Sequence, residues 1–386
     1  MHFQISKKRS VNFLALVLAF TFVFNIAQIL KTQASPNRFS DLTALFDIPP
    51  ADLTALIAQT ESEWALRNHE VVEMTKVAEG TYTDCQVKVF SHLIDGDNDE
   101  LINDKHYVAV RYPRNFVSDK KFPVLIINHG GTGGINLAKL ENFDAGLPGT
   151  CIKDNFFIVM PSYRAESLDA RVIDPAHPEW LFHAEGTASV LDYDVDDVIT
   201  ALNAVLKKIK QTDKTRIAAY GTSRGGAVTL LLDARETRIK RTVDMFGGAN
   251  MMLTEDALEA TTCDESAGNP ILNILMDEVV CPYLAEELTV DQARLALVRR
   301  SVIYFAAGLF KLQIHHGMAD TTVPIAHSES LTAAIDALGT TPPFYQFYIY
   351  EGGVHSVESL HDAIPGVSAG DQGVRVEPFL CELVVP

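Results

Sequence analysis

Residues 218–228 read "AAYGTSRGGAV", with one serine, Ser223, set between glycines directly after an apolar stretch. Gly221-Thr222-Ser223-Arg224-Gly225 fits the pattern G-x-S-x-G, in which small residues let a strand turn into a helix sharply enough to lift a hydroxyl above a sheet. The preceding "RIAAY" reads as a strand and the following "GAVTLLLDARE" as a helix. A pentapeptide can arise by chance as a plain Gly-rich loop. A nucleophilic Ser223 therefore needs a base, an acid and oxyanion donors elsewhere in the chain.

Outward from this stretch, short and nearly continuous apolar runs alternate with longer helical segments. The runs are "FPVLIINHG", "FFIVMPSYR", "TRIAAYGTS", "RTVDMFGG", "FKLQIHHG" and "FYQFYIYEGG". Such runs predict parallel strands buried on both faces and joined by crossover helices. Upstream, "CQVKVFSHLI" and "HYVAVRYP" flank "DGDND" and predict an antiparallel hairpin. One crossover helix, "SVLDYDVDDVITALNAVLKKIKQ", is acidic at its start and basic at its end. The helix dipole accounts for Asp192, Asp194, Asp196 and Asp197 without a metal. About fifty residues, roughly 250–300, fit no strand and predict a helical cap over the carboxyl edge of the sheet. The fold class is α/β: a mostly parallel central sheet with helices on both faces and a cap insertion.

The same carboxyl edge supplies the partners that Ser223 needs. Asp320 follows the strand "LQIHHG" in a turn made by Gly317 and closed by Pro324, and His355 follows the next strand behind a Gly-Gly pair. The order Ser223, Asp320, His355 suits an acid that orients an imidazole, which in turn takes the serine proton. His315 and His316 precede the acid and read as structural; no Gly turn releases His361, and Asp244 lies inside a strand. "NHGGTGG" follows another strand, and its glycines leave backbone N–H groups open to a substrate oxygen. The amide of Gly131 is expected to pair with that of Arg224 as an oxyanion hole, with His129 bracing the loop. No GK[ST] follows these glycines, so a phosphate loop is excluded. The Arg224 side chain either binds a substrate carboxylate or pairs with a helix aspartate, the second being favoured.

As a set, "HGG", "GTSRGG", "RRSVIYFA", "HHGMADTTVP" and "EGGVH", in that order from about residue 106 to about 360, resemble the prolyl oligopeptidase-type catalytic domain of the α/β-hydrolase family. The resemblance implies an α/β-hydrolase fold and a Ser-His-Asp hydrolase working through an acyl-enzyme, without metal or cofactor. It tips the substrate toward a small peptide, with a carboxylesterase or dienelactone-hydrolase-like enzyme as the alternative. The family's β-propeller has no counterpart here, only a short extension. A different class of reading is a non-catalytic α/β-hydrolase-fold binding protein; such proteins usually lack a triad member, whereas all three are present here.

The chain has 386 residues, 47% of them hydrophobic, and a formal net charge of −18. Its size suits one large α/β domain with an extension. The acidic balance and the lack of a basic stripe argue against a nucleic-acid partner. Lys7, Lys8 and Arg9, the apolar "VNFLALVLAFTFVF" and Thr32-x-Ala34 read as an export signal. Uncharged Ser10 to Leu30 is also about long enough to tether the chain to a membrane. Residues 1–34 are thus assigned to a signal or anchor, 35–80 to a helical extension, and 81–386 to the catalytic domain. The five cysteines leave one unpaired, and Cys263–Cys281 is the expected bridge within the insertion. Asp95, Asp97 and Asp99 resemble a calcium loop, but Glu100 stands where the turn needs glycine, so a plain acidic turn is expected.

Overall fold

A computed structural model describes residues 42–82, 84–94, 104–139, 150–263, 268–340, 344–361 and 371–384. The chain divides into a unit of residues 1–43 and a unit of residues 44–386. The structure below is that of the second unit. The signal or anchor segment and the Asp95–Asp99 turn lie outside the described residues.

Nine strands form the main sheet: β1 (Val71–Tyr82), β2 (Cys85–Ile94), β3 (Lys105–Arg111), β4 (Phe122–Asn128), β5 (Phe157–Pro161), β6 (Thr212–Thr222), β7 (Ile239–Met245), β8 (Leu312–Gly317) and β9 (Tyr345–Tyr350). Their order is β1-β2-β3-β5-β4-β6-β7-β8-β9. The first three and β5 pair antiparallel; from β5 onward every neighbour is parallel. Every residue of β4 and of β5 is buried, as their unbroken apolar runs require in a sheet covered on both faces. The chain reverses direction across the sheet between β4 and β5. That places β4 and β6 side by side at its centre, where the loops leaving their carboxyl ends face one another.

The helical reading of residues 35–80 needs correction. Helix α1 spans Pro50–Leu66, but residues 71–82 are β1, the edge strand. Its Glu, Lys and Ala residues suit a helix by propensity, yet the register with β2 and the exposed charges of an edge strand decide otherwise. α1 packs through Leu56 and Trp64 against Leu295, Val298 and Phe305.

Helix α2 (Asp192–Lys208) carries the four aspartates, all fully buried or nearly so. The dipole explanation is therefore too weak, because a buried carboxylate needs a directly bonded partner. Each has an arginine: Arg67 reaches Asp192 at 2.8 Å, Arg224 reaches Asp194 at 2.7 Å and Arg164 reaches Asp197 at 2.9 Å. Asp196 takes Arg67, Arg235 and, at 2.8 Å, His69. These pairs rivet β-sheet loops, α1 and helix α3 (Arg224–Arg235) to one helix end.

Between β7 and β8 runs a chain of short helices that includes α4 (Val290–Arg299), with Cys263 bonded to Cys281 across it. A second disulfide joins Cys151 to Cys381, in helix α6 (Asp371–Cys381); helix α5 (Ala326–Asp336) precedes it. Cys85 remains a buried thiol. The C-terminal helix, which bears no sequence motif, places Val376 and Leu380 in the central core.

Candidate active site

β6 ends at Thr222 and α3 begins at Arg224, so Ser223 alone makes the turn. It sits at φ 55°, ψ −123°, a backbone state that costs a non-glycine residue about 1–3 kcal/mol. Its N–H donates to Met245 O at 2.9 Å and its carbonyl accepts from Ala227 N at 3.1 Å, which hold it there. The flanking glycines are sterically required. A Cβ on Gly221 would lie 1.9 Å from Gly225 O, and one on Gly225 would lie 2.0 Å from Asn128 O.

The structure brings Ser223, His355 and Asp320 together. His355 Nε2 lies 2.8 Å from Ser223 Oγ, and His355 Nδ1 lies 2.7 Å from Asp320 Oδ2. The carboxylate partner assigns the proton to Nδ1 and leaves Nε2 as the acceptor for the hydroxyl. Asp320 divides its oxygens between two tasks. Oδ1 accepts the N–H groups of Thr322 and Val323 at 2.9 and 3.0 Å, which shapes the turn; Oδ2 faces the imidazole. Burial by itself would raise this carboxyl. Bonds from His316 and His355 and from the Val323 N–H outweigh burial and hold it well below the usual carboxylate range. Phe246, at the end of β7, packs its ring 4.6 Å from that of His355.

His316 is more than structural filler. Its Nε2 lies 2.8 Å from Val323 O and 3.5 Å from Asp320 Oδ2, and its Nδ1 lies 2.7 Å from Ser328 Oγ, so it is a second imidazole beside the oxygen that faces His355. His315 points into the core at 2.8 Å from Tyr350 Oη. Asp244 is buried beneath the elbow and accepts from Gly247 N at 3.0 Å. His361 is exposed.

Arg224 opens α3, so its amide has no carbonyl one turn back to bond within the helix. Gly131, at φ 67°, lines the same cavity. The Arg224 guanidinium is fully committed. Nε and Nη2 donate to Asp194 at 2.8 and 2.7 Å, Nη2 also to Ser189 O at 2.8 Å, and Nη1 to Glu166 at 2.5 Å and to Gly131 O at 2.9 Å. These contacts use the donors of the guanidinium fork, which leaves none for a substrate carboxylate. Sequence reasoning missed Glu166 and Tyr163, which complete this cluster, because neither lies in a motif.

Ser223 and His355 open into a cavity of about 850 Å³ beneath the insertion. Leu191, Met251, Ile271, Leu272 and Leu275 give it apolar walls. Among the described residues no carboxylate and no lysine lines it.

Comparison with known proteins bears on the fold that carries this site. The family model "Acetyl xylan esterase (AXE1)" matches residues 193–247, from α2 through the elbow to the end of β7. Acetyl xylan esterase 1 from Thermoanaerobacterium sp. JW/SL YS485 is similar over 86% of this chain and 94% of its own, at 14% identity and a TM-score of 0.54. The chain has the α/β-hydrolase fold. An acetyl xylan esterase from Paenibacillus sp. R4 is similar over 81% of this chain and 94% of its own, at 16% identity and a TM-score of 0.49. A candidate dipeptidyl aminopeptidase IV from Bacteroides ovatus ATCC 8483 covers 80% of this chain but only 43% of its own length, at 14% identity and a TM-score of 0.46. In this α/β-hydrolase fold, the described constellation is that of a serine hydrolase.

Proposed function

We propose that the protein is a serine carboxylesterase acting on small, uncharged esters. Ser223 Oγ attacks the ester carbonyl while His355 Nε2 takes its proton, and Asp320 holds the imidazole and stabilises its charged form. The amides of Gly131 and Arg224 receive the oxyanion. The proton returns from His355 to the departing alcohol, and water then cleaves the acyl-enzyme by the same steps in reverse. The observation that carries this reading is the continuous Ser223–His355–Asp320 hydrogen-bond chain at the floor of a cavity.

Two observations favour an ester over the peptide that the family resemblance suggested. The esterase family model matches the elbow region itself. The described cavity walls are also apolar, formed by Leu191, Met251, Ile271, Leu272 and Leu275, which suits an uncharged ester. The two disulfides support export to an oxidising compartment.

The test is a fluorophosphonate probe on purified protein, followed by p-nitrophenyl esters against alanyl-alanine and Xaa-Pro anilides. Labelling of wild type but not of Ser223→Ala, with ester turnover exceeding anilide turnover, is expected. An unlabelled wild type overturns the hydrolase, and faster anilide cleavage overturns the esterase.

A further inference from the structure

Two successive peptide groups flank the Cα of Gly131, and each has its carbonyl held by a side chain, half-buried His129 or buried Arg224. The Gly130 carbonyl lies 3.1 Å from His129 Nδ1, and the Gly131 carbonyl accepts from Arg224 Nη1 at 2.9 Å. A trans peptide is planar, with its N–H pointing away from its C=O. Pinning the Gly130 oxygen therefore aims the Gly131 N–H, and pinning the Gly131 oxygen stops the next peptide from rotating it away. Glycine at φ 67° has no side chain to limit such rotation, so the restraint must come from neighbouring side chains that hold its carbonyls.

The two restraining side chains share one platform. His129 stacks on Tyr163 with ring centroids 4.3 Å apart, and the Arg224 guanidinium lies 4.7 Å above the same ring. Glu166 bonds Arg224 at 2.5 Å and lies 3.2 Å from His129 Nε2. Asp194, fixed on α2, takes the other edge of the guanidinium. Arg224 also follows Ser223 directly. One side chain therefore ties the loop that bears one oxyanion donor to the residue that bears the other.

We infer that Arg224 and His129 are positioning residues: they set the distance and direction of the Gly131 amide relative to the Arg224 amide, and so shape the oxyanion hole without touching substrate. This rests on the esterase reading. Burial holds the His129 imidazole neutral, its pKa lowered to about 4 with a further push from Arg224; in the tautomer protonated at Nδ1, that N–H donates to the Gly130 carbonyl.

The experiment uses the full chain and compares Arg224→Lys and His129→Phe with wild type. Arg224→Lys keeps the charge but cannot span Asp194, Glu166 and Gly131 together. His129→Phe keeps a ring to stack on Tyr163 and removes both ring nitrogens, so the Gly130 carbonyl loses its partner while Arg224 stays in place; it serves if the lysine variant does not fold. Folding is checked by near-UV circular dichroism. With p-nitrophenyl butyrate, kcat should fall about 100-fold in each folded variant, the size of losing one oxyanion donor. KM should change less than about threefold. Affinity for a trifluoromethyl ketone, whose hemiketal oxyanion occupies the hole, should fall in parallel with kcat. Folded variants with wild-type kcat, or a loss confined to KM, overturn the inference while leaving the esterase standing. A wild type inert toward all esters overturns both.

Discussion

At the scale of single residues, the hydrogen bonds of Asp320 explain why it serves His355 rather than the turn alone. Asp320→Asn keeps the shape of the turn but presents an amide to Nδ1, which favours the wrong tautomer of His355. Its expected cost is about 10⁴ in kcat with little change in melting temperature, read from ester kinetics and a thermal melt. Ser223→Ala should lose at least as much, and with it all fluorophosphonate labelling. The alanine would meet the same φ of 55°, so folding should persist. Arg224 shows what a motif can hide. Its place beside the nucleophile is plain in "GTSRGG", but its ligands come from residues 131, 166, 189 and 194, which only the folded chain brings together.

At the scale of elements, the buried charges of α2 carry much of the architecture. Removing one partner strands a buried charge and costs about 3–5 kcal/mol. Arg164→Met, which leaves Asp197 beside buried His106, should lower the urea midpoint accordingly while leaving the triad in place. A midpoint unchanged within error would contradict that account. The elements whose burial is uniform were the legible ones: β4, β5 and β8 announce themselves as apolar runs, and the triad falls at strand ends that the runs predict. β1 did not, because an exposed edge strand is built from the same charged residues as a surface helix and its partner β2 decides the matter. α6 was equally silent. Its core contacts with distant strands leave no mark on its own periodicity strong enough to read alone.

At the scale of the whole molecule, stability should depend on pH through two buried imidazoles facing each other across β2 and β3. His92 and His106 have ring centroids 5.9 Å apart, and none of their ring nitrogens finds a hydrogen-bond partner among the described residues. Burial, helped by mutual repulsion for His92 and by Arg164 for His106, lowers both to about 3. A depressed pKa means that the unfolded chain binds the extra proton first. Stability from these groups is then complete above the unfolded value and is lost as pH falls toward 3. Between pH 7 and pH 5 each should contribute a loss of roughly 2 kcal/mol. Asp233 and Asp244, raised to about 7 mainly by burial, work in the opposite sense and lose stability as pH rises toward 7. Comparing wild type with His92→Phe isolates the imidazole: the variant's urea midpoint should fall less on going from pH 7 to pH 5.

The bond between Cys151 and Cys381 closes a covalent ring that contains Ser223, Asp320 and His355, while Gly131 lies on the strand of chain outside it. A single proteolytic cut within the insertion therefore cannot part nucleophile from base. Nicked enzyme should migrate as one species until a reductant is added, and then separate into fragments. Activity that survives nicking but vanishes on reduction would show that the ring, rather than the intact backbone, is what keeps the three groups in one molecule.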